Sequence, residues 1–251
     1  MATESSADGS LSDRLLRLED AIAAACRAAS RPRSQVTLMA VSKTHPVEAM
    51  MAVRSLGLTL FGENRVQEFA AKASLLPPAQ RSALRVHLIG HLQSNKAARA
   101  VELFDGIDSL DSLPLAQRLH AAAAAQGKIL PVLLEIKLSD EPTKSGLVPG
   151  SHALDALLEQ LPDLSHLRVD GLMTIAPLGR NEAETRSCFR ALRQLRDQLQ
   201  SAHPRLELRE LSMGMSSDFP LAIAEGATRI RVGTALFGSR SALQPRPAPQ
   251  P

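Results

Sequence analysis

Eight short apolar segments alternate along this chain with segments whose apolar residues recur at helical spacing. Such alternation predicts an α/β fold built on a parallel sheet. The strands are almost continuously apolar, as expected for strands that are covered on both faces. The predicted strands are 36–42, 58–62, 85–90, 106–109, 130–138, 168–175, 206–213 and 229–233.

Eight strand–helix units of this length fit a single (β/α)8 TIM barrel. The alternative is a doubly wound open sheet, but the first strand is not followed by the glycine-rich turn that is common in that class. An extra helix over 11–30 precedes the first strand, with apolar residues at spacings of three and four. The other predicted helices are 46–56, 64–76, 93–103, 113–126, 151–160, 181–201 and 217–225.

No linker divides the chain, so we expect one domain over residues 11–240. Residues 1–10 and the proline-rich residues 241–251 have the composition of disordered tails. Cys26 and Cys188 lie far apart in predicted helices without the spacing of a metal site, so we expect two reduced, buried thiols.

The bulk composition excludes several classes of function. The net charge is only +3, and the chain has no Trp and no Tyr, so a basic surface with stacking aromatics for nucleic acid is not predicted. No apolar stretch is long enough to span a membrane, and the N-terminus lacks the basic-then-apolar pattern of a signal peptide. We therefore expect a cytoplasmic protein that binds neither nucleic acid nor membrane.

Lys43 directly follows the first apolar strand. In a TIM barrel this position lies at the C-terminal ends of the strands, where active sites are found. An amine that loses hydration there becomes a nucleophile able to condense with an aldehyde. The alternative is structural: Lys43 extends to solvent, or pairs with Glu63 or Asp111.

The ends of the last two strands predict a phosphate-binding cup. Barrels often bind phosphate with the loops after strands 7 and 8 and a helix N-terminus. Here those loops carry Gly214, Ser216 and Ser217 after strand 7, and Gly233 and Thr234 after strand 8. The alternative for the two serines is simple capping of the next helix.

Strand alternation places Arg231 inside the predicted barrel, because Ile230 and Val232 suit the layer beneath the helices. A guanidinium there needs an acceptor, which could be a carboxylate or a ring nitrogen. A buried structural ion pair is the alternative.

The remaining polar residues near strand ends are given no catalytic role. His87 is expected to be a satisfied core histidine, whereas His91 is more open and could face a ligand. Asp108 and Asp111 have no partners at metal-ligand spacing, so no metal site is predicted.

Seven segments resemble, in order, the family of pyridoxal phosphate homeostasis proteins, which are single-domain relatives of the alanine racemase N-terminal barrel. The matching segments are AVSKT at 40–44, FGENRVQE at 61–68, HLIGHLQSNK at 87–96, KSG at 144–146, GLMTIAP at 171–177, LSMGMS at 211–216 and RVGTALFG at 231–238.

This resemblance implies pyridoxal 5'-phosphate (PLP) as the cofactor and Lys43 as its covalent Schiff-base lysine. It also implies an Arg231 contact to the pyridine nitrogen. Two departures lie at the mouth of the site: Arg65 stands where family members often carry Tyr, and Lys137 where they often carry Asn. The implied neighbours of the ring and phosphate are Asn64, Met213, Ser216, Gly233 and Thr234.

The resemblance and the composition together favour a PLP carrier or buffer without catalysis, acting in homeostasis of the cofactor and indirectly of amino and keto acids. Related racemases use a tyrosine from a second domain as one base, and this chain has no tyrosine. An arginine at the pyridine nitrogen also weakens the ring as an electron sink. The alternatives are a single-domain PLP-dependent amino acid racemase or lyase, and a barrel for another phosphorylated metabolite.

The partners expected of such a carrier are PLP itself and the apo forms of PLP-dependent enzymes. The compact single domain without a large aromatic patch favours a monomer.

Overall fold

The computed structural model describes residues 9–139, 141, 145–177 and 181–238. Within them, eight parallel strands form a closed barrel in sequence order, and β1 pairs with β8 to complete it. This closure confirms the predicted TIM barrel and excludes the open sheet. The strands are β1 (Thr37–Val41), β2 (Leu60–Glu63), β3 (Arg85–Leu88), β4 (Gly106–Leu110), β5 (Leu130–Glu135), β6 (Leu167–Met173), β7 (Glu210–Ser212) and β8 (Arg229–Val232).

Helices surround the barrel, and most agree with the prediction to within three residues at each end. The short α4 and α10 were not predicted, because five or four residues carry too little periodicity. The helices are α1 (Leu11–Ala28), α2 (Val47–Ser55), α3 (Val66–Ala73), α4 (Pro78–Ser82), α5 (Ala97–Leu103), α6 (Leu113–Ala125), α7 (His152–Gln160), α8 (Glu182–Ala202), α9 (Phe219–Ala224) and α10 (Thr234–Phe237), with 3-10 turns at Arg33–Gln35, Ser94–Lys96 and Leu161–Asp163.

Helix α1 is the predicted extra helix before the barrel. It buries Leu18, Ile22 and Cys26 at spacings of four and contacts α9 and α10. Ser10 forms a capping box with Asp13, so the helix cap includes the last residue of the predicted tail 1–10. Apart from Gly9 and Ser10, both predicted tails lie outside the described residues.

The main core lies between the barrel and the helices, where strand residues such as Ile230 and Val232 meet helix residues such as Phe69 and Phe189. A smaller apolar cluster of Met39, Val41, Leu60 and Ile89 is separate from it. Strand alternation places this second cluster inside the barrel, on the same face as Arg231, whose register partner is Met39. Among the described helices, none is long and apolar enough to cross a membrane.

Strands β6 and β7 approach so closely at Gly171 that a Cβ there would lie 2.0 Å from the carbonyl oxygen of Glu210. Gly171 and Glu210 are register partners, so the clash cannot be relieved without separating the strands. We expect Gly171→Ala to destabilise the fold by at least about 2 kcal/mol, as overpacking does. Urea denaturation measures this loss of stability. A variant as stable as the wild type would contradict the close approach of β6 and β7 at Gly171.

Candidate functional site

A cavity of about 640 Å³ lies at the C-terminal ends of the strands. Its size is in the ordinary range for a small-molecule site. Residues at or just after the ends of β1, β2, β3, β5, β6, β7 and β8 contribute to its wall. The lining residues are Val41, Lys43, Asn64, Ile89, Gly90, His91, Glu135, Ser145, Ile175, Met215, Ser216, Ser217, Arg231, Gly233 and Thr234.

Lys43 lines this cavity two residues beyond the end of β1, and its side chain is exposed. The expectation of a lysine that loses its hydration at the end of a buried strand is therefore wrong for this structure. The burial ends at Ser42, which is fully buried, because the strand stops at Val41 and the chain turns outward. Lys43 therefore contributes to the cavity wall an amine that remains in contact with solvent.

The carboxylates considered as structural partners of Lys43 are paired elsewhere. Glu63 Oε1 lies 2.7 Å from Lys72 Nζ, and Asp111 Oδ2 lies 3.0 Å from His91 Nδ1. The purely structural explanation of Lys43 as the partner of either carboxylate is therefore not supported.

The two loops of the predicted cup meet between β7 and α10. Ser216 Oγ accepts a hydrogen bond of 3.4 Å from the backbone N–H of Ala235, at the start of α10. Neither Ser216 nor Ser217 caps α9, because its N-cap is Asp218. The alternative that these serines cap the next helix is therefore wrong, and both serines line the cavity together with Thr234.

Arg231 lies on the cavity wall and is almost fully buried. Its guanidinium donates to the carbonyl oxygens of Ser212 (2.7 Å) and Thr174 (2.9 Å), and to Ser212 Oγ (2.9 Å). These acceptors, rather than a carboxylate, hold the side chain, so the predicted alternative of an ion pair is not what the described contacts show. They account for three of the five N–H donors of the guanidinium.

Met213 is the predicted site residue that the structure places elsewhere. It is fully buried in the core between barrel and helices and is not among the residues lining the cavity. Strand alternation explains this placement: Ser212 shares a face with Arg231, which it contacts, so the next side chain points outward.

Glu135, at the end of β5, is a cavity residue that the sequence analysis missed. Its side chain is buried, and burial, together with the charge of Asp111, raises the pKa of its carboxyl. Ser145 Oγ donates to it over 3.3 Å. A carboxylate interrupting the apolar run 130–138 was the signal available in the sequence.

The histidines behave as predicted. His87 Nδ1 donates to the Asp108 carboxylate over 2.8 Å in the barrel interior, whereas His91 lines the cavity. Among the described residues, no group of three or more His, Cys, Asp or Glu side chains could hold a metal ion.

The two family departures lie beside the cavity. Arg65 lines a neighbouring depression of about 370 Å³, and Lys137 lines another of about 190 Å³ that shares Glu135 and Ser145 with the main cavity. Lys144, from one of the matching segments, is outside the described residues.

A second depression, of about 630 Å³, lies at the opposite ends of β6 and β7. Its wall is formed largely by charged side chains that pair with each other, including Arg168 with Asp170 at 2.6 Å. The two cavities are nearly equal in volume, so volume does not indicate which of them is the functional site. Of these two, the cavity at the C-terminal ends of the strands is the one that combines an amine, hydroxyls and a buried guanidinium. These groups suit a phosphorylated ring that carries an aldehyde.

The sequence profile described as alanine racemase, N-terminal domain, matches residues 17–241. The pyridoxal phosphate homeostasis protein of Haemophilus influenzae is 39% identical over 224 residues, which are 89% of this chain and 93% of that protein. The protein of the same name from Aquifex aeolicus is 41% identical over 228 residues, 91% of this chain and 97% of the relative.

Among solved structures, PipY of Synechococcus elongatus PCC7942 with PLP bound has a TM-score of 0.79 and 46% sequence identity to this chain. The match covers 91% of this chain and all of PipY. Sequence and structure comparisons therefore lead to the same group of proteins.

Proposed function

The chain belongs to the pyridoxal phosphate homeostasis proteins, whose barrel is the alanine racemase N-terminal domain, and we propose that it holds PLP reversibly without converting a substrate. The observation that carries this proposal is the common cavity of Lys43, Asn64, Ser216, Arg231, Gly233 and Thr234. These residues come from four separate strand ends.

The donor set of the cavity fits each part of the cofactor. Lys43 would supply the amine for the aldehyde, and Val41, Ile89 and Ile175 an apolar wall for the ring. PLP when bound supplies an aldehyde that is captured reversibly by an amine, together with a ring that can withdraw electrons. The remaining N–H donors of Arg231 suit a ring nitrogen, the contact implied by the family resemblance.

The cup after β7 and β8 would hold the phosphate. Ser216, Ser217 and Thr234 offer hydroxyls, and Ser216 Oγ, which accepts from the Ala235 N–H, keeps its own proton to donate. Hydroxyls and backbone N–H groups together satisfy phosphate oxygens.

The test of this proposal is borohydride reduction of the wild-type protein after incubation with PLP. The expected result is one pyridoxyl group per chain, located on Lys43 by peptide mapping. An adduct on another residue, or binding without an adduct, would reject Lys43 as the attachment site. Absorbance at the edge of the visible range separates covalent capture from simple phosphate binding.

The absence of catalysis is also part of the proposal. The chain contains no tyrosine to serve as the second base of a racemase. Arg231 would leave the pyridine nitrogen unprotonated, which weakens the electron sink.

One observation favours the alternative of an amino acid racemase or lyase. His91 lines the cavity, and Asp111 holds its Nδ1 at 3.0 Å, an arrangement that can orient a histidine as a base. Exchange of the α-proton of amino acids in deuterated water tests it. Stereospecific exchange that His91→Asn abolishes would favour the enzyme; no exchange across a panel of amino acids would favour the carrier.

We further propose that apo PLP-dependent enzymes receive the cofactor and that the carrier acts as a monomer in the cytoplasm. The buried thiols of Cys26 and Cys188 suit a reducing compartment. Light scattering of the loaded protein tests the monomer, and activation of an apo enzyme by the loaded protein tests delivery.

A further inference from the structure

The turn that carries Lys43 is held by a largely buried group of charged residues on α3 and at the end of β2. We call Glu63, Glu68 and Lys72 the Lys72 cluster. Lys72 is almost fully buried, and its Nζ lies 2.7 Å from Glu63 Oε1 and 3.1 Å from Glu68 Oε1. A buried lysine is uncommon unless it is paired, so its position needs an explanation.

Ser42, immediately before Lys43, is bound at three points. Its N–H donates to the carbonyl oxygen of Gly62 over 3.1 Å, and its Oγ donates to Glu63 Oε1 over 2.7 Å. Its carbonyl oxygen accepts from Lys72 Nζ over 2.9 Å. The peptide group that joins Ser42 to Lys43 is therefore anchored directly by the Lys72 ammonium.

The residues after Lys43 are held as well. The backbone N–H of Thr44 donates to Glu68 Oε1, and Thr44 has a φ of 66°, a left-handed conformation unusual for a β-branched residue. The ring of His45 stacks on Phe237 of α10, with ring centroids 4.6 Å apart. The contacts on both sides of Lys43 therefore fix the direction in which it leaves the backbone.

The Lys72 cluster cannot easily rearrange. Glu63 is fully buried at the end of β2, and burial raises the pKa of its carboxyl. No described residue donates a hydrogen bond to its second oxygen, Oε2. Without Lys72, this carboxyl would lose a principal partner, and the Ser42 carbonyl would lose the ammonium that holds it.

We propose that Lys72 is a positioning residue that directs Lys43 into the cofactor cavity. This inference rests on the proposed function, because it assumes that Lys43 captures an aldehyde. Lys72 holds the turn at Ser42 and, through Glu68, at Thr44. The phosphate cup is formed by other elements, β7, β8 and α10, so binding of the phosphate and ring does not depend on the same contacts.

The test compares covalent and non-covalent binding in Lys72→Met. Covalent binding is the rate at which PLP becomes trapped on Lys43 by borohydride. Non-covalent binding is the dissociation constant of pyridoxine 5'-phosphate, which has the ring and phosphate but no aldehyde. We expect capture to slow about ten- to a hundredfold, as misplaced reacting groups do, with the dissociation constant changed less than about threefold.

The matched control is Lys128→Met. Lys128 is partly buried and, like Lys72, donates to a backbone carbonyl, that of Val101, but it lies before β5, at the other end of the barrel. This variant is expected to capture PLP at the wild-type rate. If Lys128→Met slowed capture as much as Lys72→Met, the effect would be a general loss of stability.

Glu68→Gln provides a second test that retains Lys72 and the buried Glu63, and it decides the question if Lys72→Met does not fold. It weakens the hold on Thr44, so slower capture with unchanged pyridoxine 5'-phosphate affinity supports positioning. Unchanged capture in the folded variants, or parallel loss of both kinds of binding, would overturn the proposal. Failure of the wild-type protein to form any adduct would instead reject the proposed function.

Discussion

Lys43→Ala is expected to lower the yield of trapped pyridoxyl adduct by about two orders of magnitude, because Lys43 is the one lysine among the described residues that line the cavity. The absorbance at the edge of the visible range should disappear with it. Non-covalent affinity for pyridoxine 5'-phosphate should survive, since Ser216, Ser217 and Thr234 are untouched. Mass spectrometry after borohydride reduction measures the first effect, and calorimetry measures the last.

Lys137→Ala is the matched control for this prediction. Lys137 lies in the small depression adjoining the cavity, so its amine is near the site without lining the main cavity. Its loss should leave the adduct on Lys43 at wild-type yield. A stoichiometric adduct in Lys43→Ala, carried by Lys137 or any other lysine, would show that capture requires only proximity to the cavity.

Asp108→Asn is expected to cost about 3–5 kcal/mol of stability at neutral pH, the usual consequence of removing one partner from a buried ionic network. Asp108 is 1% exposed inside the barrel, 2.8 Å from His87 Nδ1 and 3.0 Å from the Arg229 guanidinium. The variant leaves Arg229 buried without its closest carboxylate. Thermal or urea denaturation measures the change.

The control for Asp108→Asn is Asp170→Asn. Asp170 also pairs with an arginine, Arg168, at 2.6 Å, but that arginine side chain is 61% exposed. Solvent screens such a pair, so the loss should stay below about 1 kcal/mol. If the two variants lost equal amounts of stability, burial would not be the reason that the Asp108 pair matters more than the Asp170 pair.

The acid stability of the wild type follows from the same network. Burial opposes ionisation of Asp108, but the charges of His87 and Arg229 outweigh it and lower the pKa from 3.8 to about 2. A folded-state pKa below the unfolded value stabilises the fold above pH 4, and this contribution is lost as the pH falls from about 4 to 2. The amount is about 2 kcal/mol. The stability gap between wild type and Asp108→Asn should therefore narrow over this range.

Much of the site could be predicted because a parallel barrel brings the ends of its strands to one face. Lys43, Asn64 and Arg231 lie far apart in the chain, yet each lies within two residues of the end of a predicted strand, and all three line the cavity. The serines after β7 and the Gly-Thr pair after β8 meet for the same reason. Strand alternation was sufficient to place Arg231 inside the barrel.

Other features depended on contacts that no local pattern encodes. Met213 was misplaced because the implied contact ignored the alternation that turns it outward, away from Ser212 and Arg231. Lys43 was expected to be desolvated, but it is exposed because β1 ends two residues before it, at Val41. Lys72 has the local pattern of an ordinary helix lysine, and only the packing of α3 against the end of β2 brings it to Glu63 and Ser42.

The sequence by itself determined the eight-stranded barrel and which strand ends carry an amine, hydroxyls and a guanidinium. Each strand or helix can be recognised from the periodicity of its own segment, and the order of these segments along the chain then indicates the barrel. Only the tertiary structure decided what each side chain meets. It paired Glu63 with Lys72, Asp108 with Arg229, and Arg231 with backbone carbonyls. The physical reason is that a buried polar group needs a hydrogen-bond partner, and here that partner is distant in sequence. Only the folded barrel with its packed helices brings the two groups together.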